Sequence, residues 1–160
     1  MNMKRVVSDF HVHVSLESLV PRELTGAVNG NVWITVDDIA FPAANWYDFP
    51  SSILEWWIRS VIGIRDGLNQ SQFDFMDGPF MFVLTADGQD TWEIKLIERR
   101  ASRNECILSA YVDQMSLMRE LHSAACLVID HADRLEFRSR DVERLRSARD
   151  RLATLLSVKR

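Results

Sequence analysis

A chain of 160 residues, 47% hydrophobic and 26% charged, has room for one domain with a real core, and a single α+β domain over residues 1–160 is expected. No stretch approaches the roughly 18 apolar residues of a membrane span, and no apolar run of signal-peptide length occupies the start, so a cytoplasmic protein that does not enter a membrane is expected. The formal charge of −4 hides a division: residues 1–133 carry 10 basic and 19 acidic side chains, whereas residues 134–160 carry 9 and 4, an acidic body with a basic tail.

From Arg5 to Glu17 the chain alternates. Val6, Phe10, Val12, Val14 and Leu16 fall on one side, and Asp9, His11, His13, Ser15 and Glu17 on the other, which predicts a half-buried strand. Asn29-Gly30, a dipeptide suited to positive φ, predicts a turn into a second strand at about residues 32–39. A helix is expected over about 50–67, with Ser52 and Glu55 spaced for a capping box. Its apolar face is Ile53, Leu54, Trp57, Ile58, Val61, Ile64 and Leu68, and Trp56 sits at the border beside Ser60 and Gly63. Asp77-Gly78 and Asp87-Gly88 punctuate three antiparallel strands at 72–76, 80–85 and 91–98, and a short strand follows at about 105–109.

The rest reads as helical. Tyr111, Met115, Met118, Ala125 and Ile129 make one stripe and Leu117, Leu121, Ala124 and Val128 another, so the helix packs on two sides. Ser139 is spaced to cap a last helix whose seam is Val142, Leu145, Ala148, Leu152, Leu155 and Leu156. The architecture expected is an antiparallel sheet of about five strands, one inserted amphipathic helix and a C-terminal helical hairpin packed on the sheet.

Chemistry is sparse. Asp9-Phe10-His11-Val12-His13 resembles the D-x-H-x-H opening of amidohydrolases and of the polymerase-and-histidinol-phosphatase hydrolases, where two imidazoles on one strand face hold a metal at a barrel mouth. Such a barrel needs about 200 residues or more, and only His122 and His131 remain as further histidines. A solvated His pair is the better reading, with a small metal-dependent hydrolase or metal-binding protein on Asp9, His11 and His13 as the alternative. No nucleophile elbow, phosphate loop, dinucleotide fingerprint or C-x-x-C occurs, and no cofactor is called for. Cys106 and Cys126 lack the spacing of a disulfide or zinc framework and read as buried small hydrophobes. In the Arg-rich tail, Glu136 with Arg140, Asp141 with Arg144, Glu143 with Arg146 and Arg146 with Asp150 stand at helical spacing. A self-paired solvated face is therefore expected, not a nucleic-acid surface.

The stretches "FPAANWYDFPSSILEWW", "FDFMDGPFMFVL" and "WEIKLIERR" have a recognisable layout: a strand ending at a Pro, a W-x-D-F-like turn before a Trp-bearing helix, and a F-x-D-G-P hairpin. Over about residues 33–98, through Phe41, Pro42, Trp46, Asp48, Phe49, Trp57, Phe75, Asp77, Gly78 and Pro79, it resembles small bacterial proteins of which some are grouped with immunity proteins of contact-dependent or polymorphic toxin systems. That resemblance carries no catalytic residue. It implies a non-enzymatic protein-binding domain whose partner is a basic toxin; a second copy of the chain is the other partner expected. Asp37, Asp38, Asp48 and Asp77, near strand ends and turns, together with Trp46 and Trp56, are the candidate contact residues, since an acidic cluster steers a basic partner and aromatic side chains anchor it.

Overall fold

The computed structural model describes residues 5–88 and 90–158. Met1 to Lys4, Gln89, Lys159 and Arg160 lie outside them, and with these go one residue of the turn after Gly88 and the last two charges of the basic tail. Helix and strand make up 38% and 35% of the structure, the strands are mostly antiparallel, and the last two helices pack on them, which makes the fold α+β as expected.

Two sheets, not one, carry the strands. The first holds β1 (Val7–Ser8), β7 (Gln70–Asp74), β8 (Phe80–Ala86), β9 (Thr91–Arg99) and β10 (Asn104–Asp113), in the order β1-β10-β9-β8-β7. All of its pairings are antiparallel except the short β1–β10 contact. The two Asp-Gly turns close the β7–β8 and β8–β9 hairpins where the turn chemistry puts them. β10, expected to be short, is the longest strand at 10 residues. It takes in Tyr111, which lies under the Arg5 guanidinium 4.5 Å from its ring centre, so this residue is not part of a helix.

The second sheet is built on β4 (Val28–Val36). Along one edge run β2 (Phe10–Val14) and β3 (Val20–Pro21); along the other run β5 (Ile39–Phe41) and β6 (Tyr47–Asp48). The alternating N-terminal segment is thus two strands in two sheets, broken at Asp9. Asn29 and Gly30 are not a turn but lie inside β4, where a Cβ on Gly30 would come within 2.9 Å of both the Ser18 hydroxyl and the Leu19 side chain. Glycine serves there for close approach. The actual reversal is Asp37-Asp38, with Asp37 at φ 51, a conformation Asp tolerates better than most residues.

Helix α1 (Pro50–Arg65) packs between the two sheets and the C-terminal pair α2 (Gln114–Arg134) and α3 (Arg140–Ser157). Its inward face is the one expected: Ile53, Leu54, Trp57, Ile58 and Val61 are fully buried, and Trp57 meets Phe75 and Phe82 edge-on, each at 5.1 Å. Leu68 lies beyond the helix and is exposed. The capping box does not form. Phe49 is the N-cap without a side-chain bond, and the Ser51 and Ser52 hydroxyls instead donate to Asp141 at 2.9 and 2.7 Å, while Ser51 also accepts from the Val28 amide at 2.8 Å. These bonds fasten α1 to both α3 and β4. From Leu117 onward both stripes of α2 are buried as a doubly packed helix requires, while Met115 is half-buried and Tyr111 lies outside the helix, and Ser139 caps α3 by accepting from the Val142 amide. The cysteines depart from expectation: Cys106 is exposed at a bulged stretch of β10, and Cys126 is half-buried. Among the described residues no helix is long and apolar enough to cross a membrane.

Candidate functional site: the acidic edge of the small sheet

Four of the six candidate contact residues, Asp37, Asp38, Trp46 and Asp48, lie along the β5–β6 edge of the small sheet, and a fifth, Asp77, meets its far end from the β7–β8 turn of the other sheet. Val36 pairs with Ile39 at one end and Gly30 with Asp48 at the other, so the edge spans about 20 Å at 3.3 Å per residue. Asp37 and Asp38 form its turn. Between β5 and β6 the chain leaves the sheet through residues 42–45 and rejoins it at Trp46, whose carbonyl accepts from the Val32 amide at 2.8 Å; the gap interrupts the edge and keeps another strand from simply adding on.

Asp48 and Trp46 organise the far end. The Asp48 carboxylate is fully buried; one oxygen accepts from the Trp46 indole at 3.0 Å and the Asp77 amide at 3.1 Å, and the other from the Phe49 amide at 2.8 Å. Burial raises its pKa above the ordinary carboxylate value, against the pull of these donors. Asp48 therefore has no surface to offer a partner, a correction to its candidate role: it ties β6 to the β7–β8 turn. The half-buried Trp46 ring stands edge-on to Phe80, 5.4 Å between centres. Asp77 is exposed on that turn.

At the near end Asp37 is engaged with the break between β1 and β2. Its carboxylate accepts from the Asp9 amide at 2.9 Å, and its own amide donates to the Asp9 carbonyl at 2.8 Å. The Asp9 amide, and after it the Ser8 side chain, holds the Asp37 carboxyl below its ordinary pKa. Asp38 beside it is exposed, and neither the Asp38 nor the Asp77 carboxylate has a hydrogen bond or ion pair among the described residues. Ile39 and Tyr47, 47% and 48% exposed, place apolar surface between these charges. Trp56 is elsewhere. It is half-buried on α1 and lines a groove of about 330 Å³ with Ser60, Gly63, Leu68 and Asp74.

The histidine pair lies on the outer face of the same sheet, across β4 from the acidic edge. The rings share a face, as their spacing requires, with centres 6.2 Å apart. Each already has a partner. His11 Nδ1 is 2.6 Å from the Glu120 carboxylate, which also accepts from the Val12 amide at 3.3 Å and so covers the edge of β2 that β4 leaves free. His13 stacks on Trp33 at 5.1 Å and shares a hydrogen bond with Thr35 at 2.9 Å. Burial, and then the neighbouring His11, lowers the His13 pKa below 6.5 while Glu120 pulls it back; the exposed, ordinary imidazole that a solvated pair implies is not what His13 is. Among the described residues no three His, Cys, Asp or Glu side chains gather to hold a metal, so the ligand set that the hydrolase alternative needs is not assembled.

The fold and this edge define an α+β protein with an apolar, acidic sheet margin. No family model, curated protein or solved structure matches the chain.

Proposed function

We propose that the chain is a protein-binding domain without chemistry of its own, whose β5–β6 edge receives a basic partner, and that the partner is a toxin neutralised as an immunity protein neutralises one. What supports the reading is one feature: Ile39 and Tyr47, about half exposed, stand on an edge flanked by the unpaired carboxylates of Asp38 and Asp77. Apolar area of that kind gives a docked partner something to desolvate, while the carboxylates raise its rate of encounter and fix its sign. The toxin assignment rests on the local resemblance over residues 33–98 alone.

The test uses the proteins encoded by the two genes adjoining this one, purified and titrated calorimetrically into the chain at low and high salt. One of them should be basic and should bind, weakening as salt rises. Tyr47→Ala and Asp38→Lys should each weaken it by about tenfold or more, the scale of an interface anchor. Absence of binding by both at low salt, or binding that neither variant changes, would overturn the proposal.

A further inference from the structure

The basic last helix departs most from its expected pairing. Of the four ion pairs its spacing suggests, Glu143 with Arg146 forms, at 3.5 Å. Arg146 otherwise turns to Asp133 of α2 at 2.7 Å, and Asp150 is taken by the adjacent Arg149. Asp141, the i−3 neighbour of Arg144, is drawn to the start of α1 by the Ser51 and Ser52 hydroxyls. Glu136, the i−4 neighbour of Arg140, sits in the turn between α2 and α3 with φ 54 and not on the helix. Arg140, Arg144 and Arg151 are left exposed, with no hydrogen bond or ion pair among the described residues.

All three line one groove between α1 and α3, about 300 Å³ in volume, together with Arg59, Glu55, Glu143 and Ser147. Of the two carboxylates in it, Glu55 faces Arg59 at 2.9 Å and also feels the charge of Arg144, and Glu143 faces Arg146. The groove thus carries four guanidinium groups against two carboxylates, an excess of two positive charges, with Arg140, Arg144 and Arg151 spread over about 16 Å of helix at 1.5 Å per residue. Unpaired arginines converging on a concave surface are what recognition of an oxyanion requires, because the planar fork meets two oxygens at once. The volume is at the small end of ligand sites. No aromatic side chain lines the groove, so it offers no platform on which the bases of a nucleic-acid strand would stack.

We propose that the α1–α3 groove binds an oligophosphate anion through Arg140, Arg144 and Arg151. The phosphate chain is the recognised chemistry, whether it comes free or as the tail of a nucleotide. This site lies on a different surface from the β5–β6 edge and does not rest on the partner proposed for that edge.

Inorganic triphosphate, ATP, a short acidic peptide and a short single-stranded RNA are titrated into the intact chain, the Arg144→Gln/Arg151→Gln double variant and an Arg103→Gln control in the β9–β10 turn. Triphosphate should bind, and the double variant should lose roughly tenfold or more in affinity, as expected for losing charge-assisted bonds, whereas the control should not. Equal affinity for triphosphate and ATP means the phosphate chain alone is read; tighter ATP means a nucleotide is the source, and either supports the site. The variants replace exposed side chains, and thermal melting checks that they fold; if the double variant does not, Arg140→Gln takes its place. No triphosphate binding, a double variant within about twofold of wild type, or tighter binding of peptide or RNA through the same arginines overturns the oligophosphate assignment.

Discussion

Replacing Asp48 tests how the acidic edge is built. In Asp48→Ala the donors around the carboxylate lose their acceptor: the Trp46 indole and the Asp77 amide, which share one oxygen, the Phe49 amide on the other, and the Met76 amide beside them. An orphaned buried donor costs about 1–3 kcal/mol. Water reaching the half-buried Trp46, and relief of a buried charge, work in the opposite direction, so a net loss of about 2–4 kcal/mol is expected. Asp48→Asn separates these effects. With its amide oxygen placed towards Trp46 and Asp77 it keeps those two donors and turns its own N–H₂ on the Phe49 amide, for a loss of about 1–2 kcal/mol. Because burial raises the folded carboxyl above 3.8, Asp48 contributes most below the unfolded pKa, and that contribution is lost as pH rises through the folded value. The stability gap between wild type and Asp48→Asn should therefore be widest in acid and narrow towards neutral pH. Urea unfolding followed by tryptophan fluorescence and circular dichroism measures all three proteins. An alanine variant that loses less than about 1 kcal/mol, or an asparagine variant that loses as much as alanine, would refute the account.

Two further outcomes are expected. Trp57→Ala should cost about 3–5 kcal/mol in urea unfolding, because the indole is fully buried against Phe75 and Phe82 and its N–H donates to the Asp74 carbonyl at 2.8 Å; a loss under about 1 kcal/mol would mean that α1 presents another face. His13 should titrate below 6.5 by NMR, and Glu120→Gln should lower its midpoint further by removing the carboxylate that favours the cation. Since the folded pKa is depressed, the associated stability is present above about pH 6.5 and lost as pH falls through the folded value; a midpoint at or above that of a free imidazole, or an upward shift in the variant, would contradict the packing seen around Trp33.

Local chemistry makes much of the fold legible in the sequence itself. The Asp-Gly turns set the β7–β8–β9 meander, the period of α1 chooses Trp57 as the inward tryptophan and Trp56 as the border one, and Ser139 starts α3, because each signal is satisfied by atoms within a few residues of it. Tertiary structure decides whatever depends on a distant partner. Gly30 is a glycine because Ser18 and Leu19 crowd it, and it reads as a turn only when they are left out of account. The N-terminal alternation splits at Asp9 because β1 meets β10 while β2 meets β4, and one amphipathic period serves two sheets equally well. Asp48 and Asp141 are legible as acids near helix starts, but not as a buried tie and a link between two helices. A carboxylate takes whichever donors the fold brings to it, and the diversion of Asp141 to the Ser51 and Ser52 hydroxyls leaves Arg144 without the partner its helical spacing suggests.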